Sequence, residues 1–240
     1  MPDGLTLDKS SGAISGTPTK AASASVTITA PPQGTTTKNQ QTFTLTIHKG
    51  AADLGTLKVT NGGTKTTTFT YGDTITVSGT IKASGTAPQA NTLAAPGKNQ
   101  AALLLGGTQL TDPVAVAGNG SFTISYKTSE KGIQTTGQAQ ILTVKYGGSD
   151  DLNEGSAACS ITLNPKKVQA EVDGAITKPF DQTAKAHVTL KLAEGALVNS
   201  SDDVTVSAPD AAYEKTDVGN DIAINLGTLQ VDGNDKSFYQ

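Results

Sequence analysis

Leu5-Thr6-Leu7-Asp8-Lys9-Ser10-Ser11-Gly12-Ala13-Ile14-Ser15-Gly16-Thr17-Pro18 sets alternating apolar residues on either side of an Asp/Ser/Gly cluster. This is the pattern of two short strands joined by a turn. The same period-two alternation recurs along nearly the whole chain, with threonine on the polar face and Val, Ile, Leu or Phe on the other, as in half-buried antiparallel strands. The clearest runs are 25–29, 42–47, 74–81, 121–126, 141–146, 159–163, 187–192, 204–208 and 221–226. Between them lie turn clusters such as Gly118-Asn119-Gly120, Tyr146-Gly147-Gly148-Ser149-Asp150 and Asp232-Gly233-Asn234-Asp235, whose Gly and Asn residues tolerate the positive φ of tight turns. The reading is all-β, with several sandwiches in tandem.

Composition agrees. A chain of 240 residues with no tryptophan and few aromatics is better divided into small β modules than packed around one large core. All 18 basic residues are lysine, so the planar fork that grips phosphates is missing, and the net charge of -3 offers no attraction to a nucleic-acid backbone. Nucleic acid is therefore excluded as a partner. No apolar run approaches the ~20 residues of a membrane-spanning helix, and no signal-peptide pattern opens the sequence. A signal and an anchor are expected to lie outside this segment. The single Cys159 cannot form an internal disulfide and shares a face with Ile161 and Leu163, which predicts a buried thiol.

Two breaks divide the chain. One is His48-Lys49-Gly50-Ala51-Ala52-Asp53, and the other is Asn164-Pro165-Lys166-Lys167, where proline prevents the strand from continuing in a ladder. The expected modules are 1–49, 50–165 and 166–240, joined stiffly because both linkers are short. The first is small for a self-sufficient core, so it is expected to lack N-terminal strands and to dock on the second module or on another chain.

Three resemblances attach to these segments. Pro2, Gly4, Leu5, Leu7, Asp8, Gly12, Ile14, Gly16, Thr17 and Pro18 fall on a pattern that resembles an Ig domain family of bacterial surface proteins. Tyr71-Gly72-Asp73 with the run to Ile81, Gly118-Asn119-Gly120-Ser121-Phe122, and Leu142 through Asp151 resemble a bacterial Ig-like domain of the third group. Lys178-Pro179-Phe180-Asp181-Gln182-Thr183, Asp202-Asp203-Val204, Asp217-Val218-Gly219, Asp232-Gly233-Asn234-Asp235 and Tyr239 resemble the YDG-type repeat, with Phe for its Tyr and Gln for its Gly. The third module is expected to stop inside or just before its own end. These resemblances imply tandem Ig-like β-sandwich modules of an extracellular protein at the cell surface or in the cell wall.

The inventory of reactive groups is thin. His48 and His187 alternate with apolar neighbours and are expected on polar faces of different modules. No Gly-x-Ser-x-Gly elbow and no phosphate loop occurs. Carboxylates gather at Asp150, Asp151 and Glu154, at Asp202 and Asp203, at Asp217 and Asp221, and at Asp232 and Asp235, without calcium-loop spacing, and are read as ordinary turns. The tyrosines 71, 126, 146, 213 and 239 are expected to pack at strand ends with their hydroxyls on backbone, and Phe43, Phe69, Phe122 and Phe180 in cores. A lysine crosslink of the kind found in surface adhesins would need an inward lysine beside an acid, whereas Lys58 and Lys191 alternate outward. Asn119 and Asn199 match glycosylation acceptors in form only. The expectation is a chain with no catalytic, cofactor-binding or metal residues and no cofactor. It serves as a bacterial stalk or spacer whose partners are its neighbouring modules. The alternative is an adhesion module that binds a glycan or host protein through the acidic turns or the long 83–98 insertion.

Overall fold

The computed structural model describes residues 1–30, 39–84 and 97–240. Among them the chain is nearly all β, and its only helical pieces are the short 3-10 turns Thr128–Glu130 and Lys236–Phe238. The 83–98 insertion falls largely outside the described residues.

The opening stretch folds as its alternation predicts. Leu5–Leu7 pairs antiparallel with Ile14–Gly16, Leu5 opposite Gly16 and Leu7 opposite Ile14. Asp8 builds the turn: one carboxylate oxygen accepts the Ser10 N–H at 2.8 Å, the other accepts the Ser11 hydroxyl at 2.8 Å, and the Gly12 N–H donates to the Asp8 carbonyl at 2.8 Å. These bonds, the Ser10 hydroxyl foremost, hold the Asp8 carboxyl well below the ordinary range. Gly16 has φ +120° and meets Gly4 backbone to backbone, so that a Cβ on Gly16 would stand 2.2 Å from the Gly4 carbonyl oxygen. The motif's glycines are thus demanded by a close approach. Ala22–Ala30 then pairs with Asn39–Ile47 along its whole length, Val26 opposite Phe43.

Two larger sheets follow. One has the order Thr108–Gln109, Gln100–Leu105, Ala139–Tyr146, Gly155–Asn164 and Thr68–Thr70, with Val114–Ala115 also on Gln100–Leu105; the other runs Ser121–Lys127, Thr74–Thr80, Lys58–Asn61 and Thr64–Lys65. Each buries alternate residues: Ile75 and Val77; Phe122, Ile124 and Tyr126; Leu142, Val144 and Tyr146; Ile161 and Leu163. Two sheets that each hide one face are the elements of a β-sandwich. Gln100–Leu105 differs, because Ala101, Ala102, Leu103 and Leu104 are all buried. A strand buried on both faces has no alternation to betray it, and the sequence pattern does not reveal it.

The described residues fall into two compact units, Met1–Lys58 with Val77–Ile124 and Leu142–Cys159, and Val59–Thr76 with Ser125–Ile141 and Ser160–Gln240. In the second unit the strands beyond Asn164 are short pairs: Ala170–Val172 with Leu190–Leu192, Thr205–Ser207 with Gln230–Asp232, and Ala212–Tyr213 with Ile224–Asn225. The predicted runs 187–192 and 221–226 survive only as these smaller pieces, around a core of Ala186, Ala208 and Ala211. Alanine cores bury little apolar area per residue, so turns take much of this segment.

Three placements depart from expectation. Cys159 shares the Ile161 face but is only half-buried, and burial pushes its thiol up. Phe43 remains 36% exposed, since the two-stranded ribbon that carries it is only partly covered. Phe180 is 61% exposed, pushed outward by the turn described below.

Candidate functional site

Both sequence breaks are hydrogen-bonded joints. At the first, the Gly50 N–H donates to the Asp151 carbonyl at 2.9 Å and the Asn153 N–H donates to the Gly50 carbonyl at 2.8 Å. Lys49 Nζ reaches the Ser149 carbonyl at 2.5 Å, and Asp151 Oδ1 accepts the Ala21 N–H at 2.9 Å. Part of the docking expected of the first segment is therefore made on the turn 149–153. At the second, the Lys166 N–H donates to the Phe238 carbonyl, the Gln240 N–H to the Lys166 carbonyl and the Val168 N–H to the Gln240 carbonyl, each at 2.9 Å.

The second joint also encloses a buried ionic centre, all of it within one compact unit. Tyr71 sits on the turn before Thr74–Thr80, where the Thr70 N–H donates to Asp73 Oδ2 at 2.8 Å. Thr128, fully buried, locks that turn: its hydroxyl donates to the Asp73 carbonyl at 2.9 Å and accepts the Gly72 N–H at 2.8 Å. Tyr71, 2% exposed, enters the cluster formed by Val204, Phe238 and Tyr239, and Val168, Leu192, Leu197, Val198 and Val231 pack against it. Its ring lies 4.8 Å from Phe238 and 5.3 Å edge-on from Tyr239, geometries favourable to aromatic pairs.

Asp202 is the centre of this cluster, with no side-chain exposure. One oxygen accepts Tyr71 OH at 3.1 Å and also the Tyr239 hydroxyl, and the other accepts Asn199 Nδ2 at 3.3 Å and Lys131 Nζ at 2.8 Å. Lys131 also reaches Asp235 at 2.6 Å and stands 5.8 Å over the Phe238 ring. It caps the Thr128–Glu130 turn with φ 59°, a left-handed conformation that costs a non-glycine residue ~1–2 kcal/mol and here turns the ammonium inward. Asn199 Nδ2 also donates to the Ser129 carbonyl and to Tyr71 Oη, both at 3.2 Å.

Burial by itself raises the Asp202 carboxyl, but Lys131, Tyr239, Asn199 and Tyr71 outweigh it and hold the group at about 2. Burial and the bond to Asp202 push Tyr239 up to about 12 and raise Tyr71 as well. Asp202 and Asp235 raise Lys131, and Lys131 lowers Asp235. Every group is thereby locked in the form that binds its neighbours. Such a constellation holds backbone segments together; it leaves no proton near neutrality to exchange with a substrate.

The other singled-out residues have local roles. His48 and His187 are exposed, as are Lys58 and Lys191. Among the described residues the lysines that meet acids while less than half exposed are Lys131, Lys178 and Lys145, the last 1% exposed and 3.5 Å from Glu154. Asp150 pairs with Lys98, and Asn119 Oδ1 accepts the Ser121 N–H at 3.0 Å in its own turn. Tyr126 accepts the Gly132 N–H at 2.6 Å and Tyr239 the Val198 N–H at 2.8 Å, the backbone role predicted for tyrosine. Tyr71 and Tyr146 turn instead to Asp202 and Asn99 side chains. Among the described residues no group of three or more His, Cys, Asp and Glu is placed to hold a metal, and no helix is long and apolar enough to cross a membrane. Sequence reasoning read Asp202 and Asp235 as ordinary turns and Asn199 as a glycosylation acceptor in form only. The only available signal was the Tyr71-Gly72-Asp73 motif, which marks a turn and does not say what the ring will enter.

Residues 164–240 match the model of the YDG domain family, and residues 1–48 match that of the Putative Ig domain family. No curated protein matches the chain. Asn199, Asp202, Asp235 and Tyr239 thus lie inside the YDG match, and Tyr71 and Lys131 lie in the segment before it.

Proposed function

We propose that this chain is a spacer segment of a modular extracellular protein of the bacterial cell surface or cell wall, in which three β modules with joints near 50 and 165 hold a distal domain at a set position. It performs no catalysis and its partners are the neighbouring modules. The observation that carries the reading is the second joint, where Tyr71 from one segment is buried in the core of the next and Asp202 ties four side chains together. Hydrogen-bonded linkers and a shared core resist bending in a way that a free polar linker does not. The test is 15N relaxation on the full chain. Residues 50–163 and 166–240 should show one rotational correlation time; two clearly different times would overturn the spacer reading.

Adhesion is the second reading. The acidic turns at 150–154, 202–203 and 232–235 are engaged in internal bonds, and the surface that supports this reading is a groove that those turns do not line.

A further inference from the structure

The YDG-matched segment carries a groove of about 730 Å³ lined by the stretches 176–181 and 215–222 and by Thr183, Tyr213 and Ile224, a volume typical of small-ligand sites. Its construction is specific. Lys178 Nζ donates to Asp181 Oδ1 at 2.8 Å, to the Thr183 carbonyl at 2.6 Å and to Thr183 Oγ1 at 3.0 Å, while Asp181 Oδ1 also accepts the Thr183 N–H at 2.9 Å. This cage closes the turn, leaves Lys178 only 17% exposed, and displays the Phe180 ring outside it. Val218, 82% exposed, stands on the second stretch. These are the two most exposed large apolar side chains among the described residues, and both line one groove. A non-glycine residue also sits in the left-handed region beside the first stretch and another within the second, Gln182 at φ 61° and Asp221 at φ 57°. Such strain persists where the surroundings enforce it, and it gathers at binding sites.

From this geometry we infer that the groove binds a neutral saccharide, stacked by its C–H face on Phe180 and Val218 and held at its hydroxyls by Asp217, Asn220 and Asp221. An exposed ring beside acceptors and an amide suits a ligand with one apolar face and a hydroxylated edge. The charged lining residues Lys178, Lys215, Asp181, Asp217 and Asp221 sum to one negative charge, which disfavours anions. A peptide adding a strand is disfavoured because the Ala212–Tyr213 edge is already bonded: Tyr213 N–H donates to the Ala184 carbonyl at 2.7 Å, and Ala186 N–H to the Ala211 carbonyl at 2.8 Å. The inference specifies a ligand for the adhesion reading and is independent of the spacer reading.

The experiment is a 1H–15N titration of the full chain with cellobiose, lactose and N,N′-diacetylchitobiose. At least one sugar should shift amides of 178–183 and 215–222, and Phe180→Ala should weaken its binding at least tenfold. Ile141→Ala, at an exposed position outside the groove, should leave binding unchanged. Circular dichroism melts would show that Phe180→Ala is folded. No shifts in those stretches with any of the three sugars, or equal affinity in Phe180→Ala, would overturn the assignment. Correlation times are unaffected by any of these outcomes, so failure here is distinct from failure of the spacer reading.

Discussion

Gln182 stands where the YDG-type motif has glycine, and its φ of 61° shows why the motif prefers one. Replacing Gln182 by glycine removes the Cβ clash of the left-handed region. Gln182→Gly should therefore raise stability by about 1 kcal/mol, read from the urea midpoint. Asp202 works in the opposite sense. Asp202→Ala leaves Lys131, Asn199 and two tyrosine hydroxyls without their common acceptor, and should cost about 3 kcal/mol in the same measurement. Because the folded carboxyl is held at about 2, below its unfolded value, its contribution is complete above about pH 5 and disappears as pH falls from about 4 through 2, roughly 2 kcal/mol in all. Tyr239 gives the alkaline counterpart: pushed up to about 12, it favours the fold up to the unfolded tyrosine value near pH 10, and that margin is lost as pH rises toward 12. Thermal melts from pH 2 to 12 should show both flanks, and Asp202→Ala should flatten the acid one. A wild-type profile flat from pH 5 to 2 would contradict the assignment. Neither partner of the Lys131–Asp202 pair is held in the uncharged form that amide condensation needs, so the intact mass should equal the sequence mass, with no loss of water or ammonia.

Among elements, alternation is the property that sequence displays best. The Leu5–Leu7 and Ile14–Gly16 hairpin, the Thr74–Thr80 strand and the Ser121–Lys127 strand follow it closely, because one face is buried, or half-buried in the hairpin, and the other is more exposed. Where both faces are buried the signal vanishes, as in Gln100–Leu105. Leu103, fully buried in that strand, should cost about 3 kcal/mol on replacement by alanine, since the lost transfer energy adds to the cavity left behind; chemical denaturation reads it. The hairpin offers a local test. Gly16→Ala forces a Cβ against the Gly4 carbonyl and should raise hydrogen exchange at the Asp8 amide, which donates to the Ala13 carbonyl across the hairpin at 2.8 Å, while leaving Leu103 protected.

At the level of the whole molecule, the decisive contacts join residues far apart in the chain. Tyr71→Ala would empty a place in the core of the YDG-matched segment. Its expected effect is separate tumbling of residues 166–240 in relaxation measurements, with the Thr74–Thr80 strand still formed. The amino-acid sequence by itself determined the all-β class and the turn chemistry of Asp8 and Asn119, because these follow from periodicity and from bonds between residues within a few positions of one another. Tertiary structure alone decided that Tyr71 and Lys131 meet Asp202, Asp235 and Tyr239, and that Phe180 and Val218 share a groove. Separations of 131 residues, as between Tyr71 and Asp202, leave no local signature: whether a carboxylate stays in water or becomes the centre of a core depends on what the folded chain brings against it.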